Sequence, residues 1–242
     1  MSSIIMEIRG GAGGEEAALF AQDLFKMYSK YAETQGWKIR ILDSNQTEIG
    51  GLKQIIFEIK GENADLKMKY EGGVHRVQRV PKTEKGNRIH TSTVSVAVLE
   101  KPGSTQIKLN PSDLRIDFFK ASGPGGQYVN KRQTAVRITH LPTNLVVSSQ
   151  NSRNLEENKK AAFNILEARL FEKEKREIEN KIAGERKTQI GRAQRSEKIR
   201  TYNFPQDRIT DHRINKKFHN IEKILAGNLN PIIKALQKSI PE

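Results

Sequence analysis

Hydrophobic and polar residues alternate along several short stretches of the first hundred residues, as they do in half-buried β-strands. The alternating stretches are Ile4 to Ile8, Trp37 to Leu42, Gln54 to Ile59, Leu66 to Tyr70 and the segment that carries Val94, Val96 and Val98. Between the first two, apolar residues from Phe20 to Tyr31 recur at helical spacing, which predicts a helix that opens at Glu15 and Glu16 and ends near Gly36. One helix followed by several strands predicts an α+β fold, with an α/β-sandwich-like first domain whose sheet is covered on one side.

The alternation resumes beyond a linker from Lys101 to Ser112 that contains proline and glycine. The next predicted strands are Leu114 to Phe118, Thr134 to Thr139 and Leu145 to Ser149. A helix follows them, capped by Asn151 to Asn154, and runs to about Ile182. Its predicted buried residues are Phe163, Leu166 and Leu170. These elements predict a small inserted domain of one helix on a small sheet. From Ile209 to Ile240, helical periodicity through Ile221, Ile224 and Leu225 predicts a C-terminal segment that packs back on the first domain. The predicted domains are therefore 1–112, 113–198 and 199–242.

Three polar stretches interrupt this pattern. Glu71 to Thr91 is rich in hydrogen-bond donors and predicts a recognition loop held between strands. The basic stretch beyond Gly184 predicts a connector that either faces RNA or is disordered. After it, Thr201 to Gln206 contains two aromatic residues and a helix-breaking proline, which predicts a hinge.

Charge indicates the kind of partner. The 242 residues include 42 Lys and Arg against 28 Asp and Glu, a net charge of +14 that favours nucleic acid or a membrane surface. Between Lys131 and Lys217 there are 21 basic and 11 acidic residues, so +10 of the excess lies in this segment. The sequence has no cysteine, no signal peptide and no apolar run long enough to span a bilayer, which predicts a protein of the bacterial cytoplasm or an organelle matrix.

A glycine-rich segment from Ser122 to Asn130 carries the first candidate for chemistry. Gly125 and Gly126 allow a close approach to another molecule, because they have no side chain and tolerate unusual backbone angles. Gln127, which they present, cannot act as a general base, so it would act by positioning hydrogen bonds and water. A Gly-Pro-Gly-Gly run is also typical of an ordinary turn, and this alternative stays open on the segment alone.

Other motifs are weaker when each is taken alone. The glycine run before Glu15 lacks the Gly-Lys-Ser/Thr ending of a phosphate-binding loop. The Thr83 hydroxyl lies in a turn stiffened by Pro81, and the His90 ring can either stack on an unpaired base or be an ordinary strand-edge residue. No group of residues has metal-ligand spacing, so no metal or cofactor is expected.

Taken together, three separated motifs resemble one family, the class I peptide chain release factors of bacteria and organelles, and within it the type that reads UAA and UAG. The motifs are Gly123 to Gln127; His75 to Thr83 with Arg88 to Ser92; and Arg200 to Gln206 with Thr210 to Ile214. The resemblance covers nearly the whole chain. It implies a monomeric protein that enters the ribosomal A site, binds rRNA and an mRNA stop codon, and promotes hydrolysis of the P-site peptidyl-tRNA ester, although such proteins are usually classed as translation factors and not as enzymes.

The resemblance also implies roles for individual residues. Gly125, Gly126 and Gln127 would reach the peptidyl transferase centre, with the Gln127 main-chain N–H stabilising the oxyanion and its side chain admitting water. The implied codon-binding residues are Gly13 and Glu16 for the first base, Pro81, Lys82 and Thr83 for the first two bases, His90 for stacking on the second, and Gln78 and Thr91 for the third. The hinge or switch residues are Arg200, Tyr202, Asn203, Phe204, Pro205 and Gln206. Methylation of Gln127 by a glutamine methyltransferase is left open.

Family members of this type carry a helical domain ahead of the region where this chain starts, so the resemblance implies a form that lacks it. Two other functions compete with stop-codon reading. One is a rescue factor that hydrolyses peptidyl-tRNA without reading a codon, against which Pro81, Thr83, His90 and Thr91 count. The other is a non-catalytic RNA-binding module, against which Gln127 on its glycine-rich segment counts.

Overall fold

The computed structural model describes residues 2–81, 84, 86–101, 109–122, 132–191 and 194–240. The chain forms two compact units, the first of residues 1–101 and 182–242 and the second of residues 102–181. The sequence placed these divisions near residues 112 and 198 instead. The second division comes earlier because the end of the long helix belongs to the first unit, where the Gln189 amide donates to the Val98 carbonyl oxygen at 2.8 Å.

The secondary structure of the described residues contains eleven strands and five α-helices. The strands are β1 Ser2–Gly10, β2 Lys38–Gln46, β3 Leu52–Gly61, β4 Gly73–Arg79, β5 His90–Glu100, β6 Leu114–Phe119, β7 Ala135–His140, β8 Leu145–Ser149, β9 Lys198–Asn203, β10 Arg208–Asp211 and β11 Lys216–His219. The helices are α1 Glu15–Thr34, α2 Ala64–Met68, α3 Leu155–Ile190, α4 Ile221–Leu225 and α5 Asn230–Ser239. Short 3-10 turns cover Lys69–Glu71, Pro111–Asp113 and Phe204–Gln206.

The first unit is built on an eight-stranded sheet in the order β11-β10-β9-β4-β5-β1-β3-β2. All of its neighbouring strands are antiparallel except β4 and β9, which are parallel. Alternate residues of β1, from Ile4 to Ile8, are buried against α1, as the sequence pattern predicted. The helices α4 and α5 contribute Ile221, Ile224 and Leu236 to the same core, so the predicted packing of the C-terminal segment is confirmed.

Leu66 to Tyr70, predicted as a strand, is helical in the structure. The main-chain N–H groups of Ala64 and Asp65 donate to the Ser2 hydroxyl at 3.1 and 3.4 Å. Ser2 is 62 residues away from Ala64 in sequence. The segment is therefore capped by a tertiary contact, and period-two alternation over five residues was too short to exclude a helix.

The polar stretches are also more regular than predicted. Glu71 to Thr91 is not one long loop, because β4 lies within it and pairs with β5 on one side and β9 on the other. The basic stretch beyond Gly184 continues α3 to Ile190. Between Arg208 and His219 the chain forms the hairpin of β10 and β11 instead of the predicted helix. The partners of β4 lie in β5 and β9, so the order of this segment depends on strand pairing that local composition does not indicate.

The second unit contains the three-stranded sheet β6-β7-β8 and the first part of α3. All three strands lie within one or two residues of their predicted positions. Ala162, Leu166 and Leu170 of α3 pack against Val136, Ile138 and Val147, and Phe163 is only partly buried at the edge of this core. The predicted cap of α3 is present, since the Asn154 Oδ1 accepts a hydrogen bond from the Glu156 N–H at 3.0 Å.

Candidate functional site

The glycine run before α1 is fixed against the first residues of β5. The Gly11 N–H donates to the Thr93 carbonyl oxygen and the Thr93 N–H to the Ala12 carbonyl oxygen, both at 2.8 Å. The Ala12 N–H donates to the Thr93 hydroxyl at 2.9 Å. Gly13 has a φ of +130°, and a Cβ there would lie 2.2 Å from the Ser92 Oγ, so only glycine fits.

The ends of β4 and β5 complete this region. Gln78 lies opposite Thr91, and Arg79 lies opposite His90. The His90 side chain is 46% exposed, with its Nε2 2.8 Å from the Glu84 Oε2. Pro81 is buried just beyond β4. The structure therefore brings Gly13, Gln78, Pro81, His90 and Thr91 to one end of the sheet, although they come from three separate parts of the sequence. The predicted Lys82 and Thr83 lie outside the described residues.

Glu16, the remaining predicted codon-binding residue, points inward. Its Oε1 accepts a hydrogen bond from the Arg79 Nε at 2.5 Å. The Nη1 of the same guanidinium donates to the Asp23 Oδ2 at 2.7 Å. The sequence analysis did not predict that Arg79 pairs with Glu16 and Asp23. The signal that the sequence offered for this contact is the seven-residue spacing, which puts Glu16 and Asp23 on one face of α1.

Beneath this region, β9 carries a buried ionic cluster. The Arg200 Nη1 and Nη2 donate to the two oxygens of Glu71 at 2.7 and 2.9 Å. Its Nε donates to the Asp211 Oδ2 at 3.2 Å, and Tyr28 donates to Glu71 at 2.9 Å. Although burial acts to raise the pKa of Glu71, the Arg200 charge and hydrogen bonds hold it below its ordinary value.

The aromatic members of this cluster have shifted pKa values. Burial, and next the Arg200 charge, lowers the pKa of His75 to about 4. Burial raises the pKa of Tyr202 to about 12. His75 is therefore neutral at physiological pH, and its Nε2 lies 3.0 Å from the Glu71 carbonyl oxygen, which makes Nε2 the protonated nitrogen.

The sequence predicted a hinge from Arg200 to Gln206, but the structure places Arg200 and Tyr202 in the interior of β9, between β4 and β10. At these positions β9 is hydrogen-bonded to a strand on each side, and Arg200 forms buried ion pairs with Glu71 and Asp211. Asn203 ends the strand, and its Oδ1 accepts from the Gln206 N–H at 3.2 Å, which closes the turn through Phe204 and Pro205. A hinge or switch formed by the residues from Arg200 to Gln206 remains a prediction.

In the second unit, the predicted catalytic residues Gly125, Gly126 and Gln127 lie outside the described residues. The described chain on either side of them is well anchored. The Ser122 N–H and hydroxyl both donate to the Gln150 Oε1 at 3.2 Å, and the Asn158 amide donates to the Thr134 carbonyl oxygen at 2.8 Å. An open cleft of about 670 Å³ beside the second anchor is lined by Arg132, Gln133, Thr134, Arg153, Asn154 and Leu155.

Two family models together match most of the chain. Residues 1–96 match the model of the PCRF domain, and residues 103–213 match that of the RF-1 domain. The chain belongs to the peptide chain release factor family.

Named relatives come from several bacteria. The chain is 57% identical over 234 residues to "Peptide chain release factor 1" of Carboxydothermus hydrogenoformans, covering 97% of this chain and 65% of that protein. It is 56% identical to the protein of the same name from Thermotoga maritima, covering 96% of this chain and 68% of the relative. Among solved structures, RF2 of Thermus thermophilus superposes with a TM-score of 0.59 at 36% identity, over 97% of this chain and 67% of that one. The chain thus spans about two thirds of the length of these relatives.

Within the described part of the chain, no helix combines the length and the apolar character that crossing a membrane requires. No cluster of three or more His, Cys, Asp or Glu side chains suited to a metal ion occurs among the described residues.

Proposed function

We propose that this protein terminates translation: it reads UAA and UAG in the ribosomal A site and promotes hydrolysis of the peptidyl-tRNA ester. Its partners would be rRNA, the mRNA stop codon and the P-site peptidyl-tRNA. The observation that carries the proposal is the meeting of Gly13, Gln78, His90 and Thr91 at one end of the sheet. Membership of the release factor family and the names of the relatives support it.

The chemistry at this end of the sheet suits a single-stranded RNA. Gln78 and Thr91 are partly exposed and can donate and accept hydrogen bonds at a base edge. The half-exposed ring of His90 offers a flat face on which a base can stack. The first turn of α1 adds main-chain N–H donors beside Gly13, where the positive φ and the contact with Ser92 leave no room for a side chain.

The hydrolytic step is assigned to Gly125, Gly126 and Gln127 because of the sequence motif. The side chain of Gln127 would place water and its main-chain N–H would stabilise the oxyanion, so the protein would contribute two groups of one residue to a reaction within the ribosome. The positive charge concentrated between Lys131 and Lys217 suits contacts with RNA phosphates.

The test is a release assay on ribosomes that carry peptidyl-tRNA and present UAA, UAG, UGA or an empty A site. The wild-type protein should act at UAA and UAG only. Gln127→Ala should bind these ribosomes nearly as well and release far more slowly, because it removes only the positioning group. Equal release at UGA or with an empty A site would contradict codon reading and favour a rescue factor, and binding without any release would favour a non-catalytic RNA-binding module.

Thr83→Val separates a reading role from a turn role at the same site. It keeps the side-chain shape and removes the hydroxyl, so a base-reading Thr83 should lose on the order of 1–3 kcal/mol of discrimination. Release at UAA and UAG should weaken, with the melting temperature and the codon-independent hydrolysis stimulated by organic solvent nearly unchanged. Unchanged release at both codons would remove Thr83 from the proposed site.

A further inference from the structure

Arg79 lies at the end of β4 on the face that packs against α1, and its side chain is only 14% exposed. Its guanidinium binds Glu16 through Nε and Asp23 through Nη1, at 2.5 and 2.7 Å. A planar guanidinium with donors in fixed directions can hold two carboxylates at a set spacing, which a lysine ammonium cannot do. Arg79 therefore fixes two points of α1, one in its first turn and one two turns later.

Two aromatic rings enclose the same guanidinium. Its central carbon lies 5.8 Å from the centre of the Phe20 ring on α1 and 5.1 Å from that of Phe204 in the turn after β9. Cation–π contacts at these distances add attraction and limit the movement of the side chain. The position of Arg79 is thus set by α1 and by the Phe204 turn together.

Among the described residues, Arg79 is the cation that pairs with Glu16. Its Oε2 is buried and has no hydrogen-bond partner in the part of the chain that the structure describes. A buried carboxylate left with one unpaired oxygen is costly, and loss of the remaining ion pair would leave the whole charge uncompensated. Removing Arg79 would therefore force Glu16, and the backbone that carries it, to move.

The backbone at Glu16 is the first turn of α1. The first four N–H groups of a helix have no partner within the helix, and α1 has no side-chain cap on them. They lie next to Gly13 and are the main-chain donors of the proposed codon site. An inward-anchored Glu16 side chain leaves these N–H groups in place to face a base.

We propose that Arg79 is a positioning residue for reading the first codon base: by anchoring the Glu16 side chain, it fixes the main-chain donors of the first turn of α1. The inference rests on the proposed function. It separates the side chain of Glu16, which is an anchor, from its main chain, which faces the base. Gln78, the neighbour of Arg79 on β4, points to the opposite face of the sheet, so reading by Gln78 should not depend on this anchor.

The test is Arg79→Lys, which keeps the positive charge and removes the planar guanidinium that holds both carboxylates. We expect discrimination between UAA and the codons CAA, AAA and GAA, measured as the ratio of kcat/KM for release, to fall about tenfold. Discrimination at the third base, UAA against UAC, should change less than about twofold. As a matched control, Arg40→Lys alters another guanidinium–carboxylate pair of the same unit, with Glu58 at 3.3 Å, and should leave both ratios at the wild-type values.

Asp23→Asn provides a milder variant if Arg79→Lys unfolds, because it keeps Arg79 and its pair with Glu16. It should lower first-base discrimination in the same direction by a smaller factor. Glu16→Gln should act through the same contact, so adding it to Arg79→Lys should cost no further first-base discrimination.

An equal loss at every codon in Arg79→Lys and Asp23→Asn, in parallel with a lower melting temperature, would overturn the inference and leave Arg79 a merely stabilising residue. Unchanged first-base discrimination in folded Arg79→Lys would overturn it as well. If the wild-type protein shows no codon-dependent release, the proposed function itself is wrong. That result comes from the wild-type assay alone, so it is distinguishable from a failure of the inference about Arg79.

Discussion

At the scale of single residues, Gly13 carries a constraint that can be measured directly. Its φ of +130° is closed to other residues, and an added Cβ would lie 2.2 Å from the Ser92 Oγ. Gly13→Ala should lower the free energy of unfolding in urea by roughly 1–3 kcal/mol. Gly184→Ala is the control: it lies exposed inside α3 with open space around it, and should stabilise the protein by roughly 0.5–1 kcal/mol. Equal destabilisation by both variants would mean that Gly13 is not specially constrained.

His75 makes stability depend on pH in a defined window. Its pKa is about 4 in the folded protein against an ordinary value of 6.5, so the unfolded chain binds the proton more readily. The contribution of neutral His75 to the free energy of unfolding is fully present above about pH 6.5. It falls by up to about 3 kcal/mol as the pH is lowered towards 4. His75→Gln keeps a donor for the Glu71 carbonyl oxygen and removes the titration.

The measurement is the difference in unfolding free energy between the wild type and His75→Gln at each pH, which cancels the titration of the other groups. This difference should shift in favour of the variant between pH 6.5 and 4. A constant difference across that range would show that His75 does not titrate there.

Residues of the candidate site differ in how far the sequence could predict them. Gln78, His90 and Thr91 were predicted as codon-binding residues because they lie in motifs that resemble those of the release factor family. Arg79 could not be predicted, since its importance depends on Glu16 and Asp23, 63 and 56 residues away. The pair of Glu71 and Arg200 spans 129 residues and exists only because β4 and β9 are neighbours, so no local pattern indicates it.

At the scale of elements, the short strands β6, β7 and β8 and the starts of the two long helices were predicted well, whereas α2, the end of α3 and the β10–β11 hairpin were not. The helix α2 is an example, because it has only five residues and the N–H groups at its start donate to Ser2. The Ser2 hydroxyl also donates to the Gly61 carbonyl oxygen at 3.1 Å, so one side chain joins β1, β3 and α2. Elements fixed by such tertiary contacts carry little periodicity of their own.

This capping role makes a second stability prediction. Ser2→Ala leaves the first N–H groups of α2 without their acceptor and should cost about 1 kcal/mol. Ser29→Ala is the matched control, because the Ser29 Oγ in α1 is buried without a hydrogen-bond partner among the described residues. That variant should be neutral or slightly stabilising, since alanine favours helix more than serine does. Equal melting temperatures for Ser2→Ala and Ser29→Ala would show that the cap contributes nothing.

At the scale of the whole molecule, the first unit is made from the two ends of the chain. Residues from Lys198 onwards supply three of its eight strands, and β9 is the strand on which β4 pairs in parallel. Arg200 also neutralises the buried Glu71, and Tyr202 and Ile209 belong to the core of the unit. Residues 1–101 alone would expose one edge of β4 and leave Glu71 buried without its cation.

A fusion of residues 1–101 to 182–242 through a flexible Gly/Ser linker of about 12 residues tests this dependence. Because the fusion keeps every strand of the sheet and the Arg200 ion pairs, it should unfold cooperatively, within about 5 °C of the transition that the same unit shows in the whole chain. Residues 1–101 alone should show no cooperative transition by circular dichroism, since a buried charge without its partner costs about 3–5 kcal/mol before any lost core is counted. A cooperative transition in that fragment would show that β9 and the C-terminal helices are not required for the fold. An unfolded fusion would show that the first unit requires the second unit in order to fold.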